Sequence, residues 1–135
     1  MLSSHSAPKG TLTVRVLEAD NLKKEDTFGT NDAYVEVWLD KEYKQRTETL
    51  KDTENPNWDQ TFTFPIEEGS KHHELYLKVL DKDVTDSEKI GEGKTDFSSV
   101  LNEQGQEIDT WVKLPAHLHL SSHGQVHVKI SFQPE

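Results

Sequence analysis

The sequence predicts an all-β protein, an eight-stranded antiparallel β-sandwich, and three observations lead to that reading. Apolar and polar residues alternate with a period of two in several separate runs. No stretch of ten or more residues keeps a helical period. Between the alternating runs stand clusters of Gly, Asn, Asp and Pro, which punctuate short strands with turns.

The strands follow in order. Residues 11–18 place Leu12, Val14 and Val16 on one face, and 34–39 do the same with Val35, Val37 and Leu39. Phe62, Phe64 and Ile66 alternate next, then Leu75, Leu77 and Val79. The run 125–132 is the clearest, with Val126, Val128, Ile130 and Phe132 set against Gln125, His127, Lys129 and Ser131. Weaker strands fit 43–49, 92–96 and 109–114. Pro65 has no amide to give a ladder, so its strand is expected at a sheet edge or bulged. A short helical turn is the most that 97–106 would hold. Trp58 is expected to fill core space, Trp111 to begin a buried strand, and Trp38 either to pack on its neighbours or to stay partly exposed.

The chain has 135 residues, enough for one domain that buries about two-thirds of its unfolded surface. Residues 1–9 read as a loose tail and 10–133 as the domain. There is no cysteine, which excludes disulfides and thiolate metal sites. The apolar runs fall far short of the ~20 residues that a spanning helix needs, and the N-terminus lacks the features of a signal peptide. A cytoplasmic location is the expectation. With 15 Lys and Arg against 25 Asp and Glu, the formal charge of −10 argues against nucleic acid as a partner.

The acidic residues are clustered. Asp26 and Asp32 stand six apart around Gly29, and a loop turning at that glycine would bring its two carboxylates together. Asp81, Asp83, Asp86 and Glu88 crowd a second loop, and the two-residue spacing of Asp81 and Asp83 directs both to one side at a strand end. Carboxylates held so close repel unless a cation joins them. Calcium suits this donor set, because it takes six to eight oxygen ligands in loose geometry, whereas magnesium demands a strict octahedron. No EF-hand pattern is present. Turn chemistry alone would explain either loop, since Asp side chains bond local backbone; two such loops, each opening where a strand ends, favour a metal site. The seven histidines show no zinc spacing and are read as surface residues. No nucleophile motif or phosphate-binding glycine loop appears, so catalysis is not expected.

Three segments resemble the C2 domain family: Asp26–x–x–Gly29–x–x–Asp32–x–Tyr34–Val35, then NPNW at 55–58 followed by Asp59 and Phe62, then Asp81–x–Asp83 with Ile90–Gly91 after it. The resemblance spans roughly residues 10–133. It implies a sandwich with three loops at one end, in the circularly permuted second (type II) topology, and it is similar to small one-domain members linked to stress or defence signalling. It further implies Asp26, Asp32, Asp81 and Asp83 as calcium ligands, with Glu88 or Asp86 in the fifth position, which departs from the usual aspartate. Ala33 stands where the family often has proline.

The function implied is calcium-dependent binding of anionic phospholipid membranes, with peripheral attachment when calcium is bound. A calcium-independent protein-interaction adaptor is the alternative. Phe28 and Val84 lie at loop tips outside the alternating pattern and would either insert into the membrane interface or, for Phe28, fold back on the sandwich. Lys44 and Arg46 share one face and are candidate headgroup contacts, although Glu42 and Glu48 dilute them and an ordinary solvated face is the simpler reading.

Overall fold

A computed structural model describes residues 7–22, 32–53, 55–82, 87–102, 106–115 and 123–135. Its elements are β1 (Gly10–Asp20), β2 (Ala33–Asp40), β3 (Tyr43–Arg46), β4 (Asn57–Ile66), β5 (Glu74–Lys82), β6 (Ser87–Asp96), α1 (Ser98–Asn102), β7 (Glu107–Lys113) and β8 (Gln125–Pro134). One four-stranded sheet runs β4-β1-β8-β7 and the other β3-β2-β5-β6. Every named strand pairing is antiparallel. The expected all-β sandwich of eight strands is the fold.

The alternating positions build the core between the sheets. Leu12, Val14, Val16, Val35, Val37, Leu75, Leu77, Val79, Val126, Val128 and Ile130 are all fully buried. Apolar burial of this kind contributes about 25 cal/mol per Å² and dominates the stability of such a domain. β4 is an edge strand, as expected for a strand that carries Pro65. The helical turn expected in 97–106 is α1.

Some strand limits differ from the pattern. β6 begins at Ser87 rather than near 92, and its glycines explain why alternation hid it. A Cβ on Gly93 would stand 2.5 Å from the Lys113 carbonyl oxygen, and one on Gly91 would stand 2.8 Å from the Leu114 Cβ. Side chains are missing there because the other sheet's chain passes too close to admit them. Trp111 corrects an expectation: it points outward and is 37% exposed, while Val112 takes the inward position. Trp38 is buried although it faces away from the core, because Tyr76 stacks on it at 5.9 Å and the Lys44 ammonium lies 4.4 Å from its ring centre. At the N-terminus Ala7 is buried and its carbonyl accepts the Gly69 amide at 2.8 Å.

β1 carries a bulge between Val16 and Glu18. The extra residue shifts the alternation, so that Ala19 takes the core phase and Glu18 turns to the outer face opposite His127. There His127 Nδ1 lies 3.1 Å from Glu18 Oε2, and Nε2 lies 2.6 Å from Asp109 Oδ1. Trp111 stacks on the imidazole at 4.8 Å. A neutral imidazole has one N–H and can donate to one carboxylate only, so contact with both favours the imidazolium. Desolvation lowers the His127 pKa, but the bonds and charges of Glu18 and Asp109 outweigh it and leave the pKa raised.

A raised folded-state pKa means that the stabilisation is fully present below the unfolded value, about 6.5, and is lost as pH rises through the folded value. Urea denaturation of the protein and of His127→Gln is therefore expected to show a larger stability difference near about pH 6 than near about pH 8. An equal difference at both would contradict the clamp.

Candidate metal centre

Two of the expected ligands, Asp32 and Asp81, stand where β2 begins and near the end of β5. Asp32 immediately precedes β2, and its neighbour Ala33 lies directly across the ladder from Asp81 in β5. The Asp32 amide donates to Asp81 Oδ1 at 2.9 Å, and the Lys82 amide donates to the Asp32 carbonyl at 2.8 Å. The two aspartates from the two sequence clusters are thus joined by a direct backbone-to-carboxylate bond. Asp81 continues the inward phase of Leu75, Leu77 and Val79, and it is 5% exposed. Only Thr47 shares its place as a buried polar residue among those described.

Glu88 in β6 is the cross-strand partner of Asp81, which puts both side chains on one face of the sheet. Asp26, Asp83 and Asp86 lie outside the described residues, as do Phe28 and Val84. Among the described residues no three His, Cys, Asp or Glu side chains form a metal-holding group. The donors that are described fit calcium. They are hard carboxylate oxygens, the kind of donor that calcium takes.

A third segment, 47–56, braces the pair. Ala33 and Leu50 exchange both backbone hydrogen bonds at 3.0 Å, a pairing that a proline at position 33 could not complete. Trp58 Nε1 also donates to the Ala33 carbonyl, at 3.2 Å. The tryptophan of the NPNW turn therefore anchors the start of β2 while filling core space. Thr47 Oγ1 accepts the Val35 amide at 2.9 Å, and the Asp52 amide donates to Asp32 Oδ1 at 2.9 Å. No sequence pattern pointed to Asp52 or Thr47, because their roles arise from backbone pairing. His127, read from the sequence as an ordinary surface residue, is likewise engaged by Glu18, which the bulge brings beside it, and by Asp109 from β7.

Lys44 and Arg46 do share a face, the outer surface of the β3-β2-β5-β6 sheet. Each lies over an aromatic ring: Lys44 over Trp38, and Arg46 5.3 Å from the centre of Tyr34. Lys44 also lies 4.0 Å from Glu36. The Tyr34 hydroxyl donates to Ser87 Oγ at 3.1 Å, linking this face to the start of β6. At the far end of the same face, a cavity of about 520 Å³ opens beside Trp38, Lys41, Lys71 and Tyr76.

A family model described as "C2 domain" matches residues 10–114. This chain belongs to the C2 domain family. Among curated relatives, a calcium-dependent lipid-binding protein of Arabidopsis thaliana is 37% identical over 93 residues, covering 69% of this chain and 18% of that protein. Synaptotagmin-7 of Mus musculus is 33% identical over 135 residues, covering 93% of this chain and 32% of that protein. The C2 domain thus spans less than a third of the length of these relatives. Among solved structures, a C2 domain of a plant extended synaptotagmin 1 superposes with a TM-score of 0.80 at 23% identity, covering 95% of this chain and 97% of that one. A C2 domain-containing protein from a putative elicitor-responsive gene gives 0.76 at 28% identity, covering 100% and 96%. No helix among the described residues is long and apolar enough to cross a membrane.

Replacing Asp81 and Asp83 together by Asn is expected to abolish any rise in melting temperature with calcium. For the unaltered protein, calcium at a hundred times its Kd should stabilise by about 2.7 kcal/mol, a shift of several degrees. Calorimetric melting with millimolar CaCl2 and with EGTA measures both, and equal shifts in the two proteins would remove Asp81 and Asp83 from the site.

Proposed function

We propose that this C2 domain binds calcium through Asp26, Asp32, Asp81 and Asp83, with Glu88 or Asp86 as a fifth carboxylate, and thereby attaches to anionic phospholipid membranes. The observation that carries the reading is the bond from the Asp32 amide to Asp81 Oδ1, which links the first acidic cluster to the second. Of the two candidates for the fifth position, Glu88 gains support from its place opposite Asp81. The name of the calcium-dependent lipid-binding protein from Arabidopsis thaliana supports the same class of partner.

The residues of the loop end would act together. Uncompensated, the five carboxylates repel an anionic surface, in keeping with the −10 charge of the chain. Bound calcium supplies positive charge and coordination positions that phosphate oxygens can fill. Asp32 and Asp81 keep their geometry throughout, since backbone amides already hold them. Phe28 and Val84 at the loop tips would bury apolar surface in the interface, together contributing at most roughly 3–5 kcal/mol. Lys44 and Arg46 would meet headgroups on the side of the sheet, with their long side chains ordered in advance by Trp38 and Tyr34. The protein would then be a cytoplasmic binding module without catalysis of its own, recruited to the membrane when calcium rises.

Sedimentation with phosphatidylserine vesicles tests the proposal. Binding is expected in calcium, is lost in EGTA or on replacing Asp81 and Asp83 by Asn, and weakens as salt is raised. Equal binding in EGTA would sink the switch. A protein partner captured equally well by the doubly substituted chain, with no vesicle binding, would point instead to a calcium-independent adaptor.

A further inference from the structure

The segment 47–56 is tied down on both of its flanks. Towards β2 it pairs through Leu50 and Ala33, and towards β1 the Ala19 amide donates to the Pro56 carbonyl at 3.0 Å. The Asn21 amide donates to Asn55 Oδ1 at 3.2 Å, and the Glu48 amide to Gln60 Oε1 at 2.6 Å. Between these anchors Asp52 takes a left-handed backbone conformation, with φ at 54°. That turn directs the Asp52 amide back onto Asp32 Oδ1. The left-handed region is open to Gly and tolerated by Asn and Asp, and it is strained for β-branched residues.

The consequence falls on Asp32. A carboxylate at a loop end can rotate about its side-chain torsions, and a cation site loses affinity when its ligands must be ordered on binding. One oxygen of Asp32 is held by the Asp52 amide, which settles where the other points. The Asp32 backbone is held in turn by Asp81 Oδ1 and by the Lys82 amide. Three segments thus meet on one ligand.

We propose that Asp52 is a positioning residue for the calcium site, acting through its left-handed amide rather than through its own carboxylate. The inference rests on the calcium reading above. In it the middle segment fixes the orientation of Asp32 before any ion arrives.

Three variants of the full chain separate the amide from the side chain. Asp52→Gly and Asp52→Asn keep the left-handed turn and remove the carboxylate; Asp52→Val keeps neither the turn nor the charge. Calorimetric titration with CaCl2 is expected to give Kd values within about twofold of the unaltered protein for Gly and Asn, and about tenfold weaker for Val. Equal weakening in all three would make the Asp52 carboxylate itself the active group and overturn the proposal, as would no change in any. A calcium-free measurement stands apart from the calcium reading. The temperature coefficient of the Asp52 amide proton, small for a hydrogen-bonded amide, should rise in Asp32→Ala. If it does not rise, the Asp52–Asp32 link is absent and the proposal fails, whatever calcium does. If the coefficient rises but the unaltered protein gives no heat with calcium, the link stands as a structural brace, and both the calcium reading and the positioning role fall.

Discussion

The start of β2 is held at a single residue, Ala33, and the loop end of the sandwich depends on it. The Ala33 carbonyl accepts from the Leu50 amide and from the Trp58 indole, while the Ala33 amide donates back to Leu50. Ala33 is also the ladder partner of Asp81. One buried residue with no functional group of its own therefore sets the relative positions of three segments that come from distant parts of the chain. Buried backbone groups must find partners, and here that requirement also brings Asp32 and Asp81 together.

Antiparallel pairing makes this economical. When β2 and β5 pair in register, the residue that precedes one strand is carried to the residue that ends the other. Asp32 and Asp81 meet in the register that sets Val35 opposite Val79 and Val37 opposite Leu77, and a one-residue slip would turn one strand's pair away from the core. The register that packs the core thus also brings these two aspartates together. Burial of Asp81 runs against the hydrophobic logic of its strand, and the Asp32 amide partners its carboxylate there.

The outer face of the other sheet follows a different logic. The bulge at Leu17 turns Glu18 away from the core and creates the His127 clamp with Asp109. The clamp spans β1, β8 and β7, so it ties an edge strand to the centre of its sheet. Its strength depends on protonation of one imidazole, whereas the aspartate pair at the loop end draws its order from backbone amides. Two parts of one small sandwich are thereby ordered in different ways, one through an imidazole that titrates and one through backbone amides.

Much of this was legible in the sequence. Alternation at Leu12, Val14 and Val16, at Val126, Val128 and Ile130, and in the runs between them determined the strands and their inward faces, because a period of two is a local property. The spacing of Asp26 with Asp32 and of Asp81 with Asp83 marked the candidate ligands for the same reason. The hidden start of β6, the outward turn of Trp111, the partners of His127 and the reach of the Asp52 amide to Asp32 were decided only by the tertiary structure. Each arises from the approach of segments far apart in the chain, through sheet contact, strand register, a bulge or a loop closing on a neighbouring strand. Local residue patterns record which face a side chain prefers, but not which distant backbone group will meet it there.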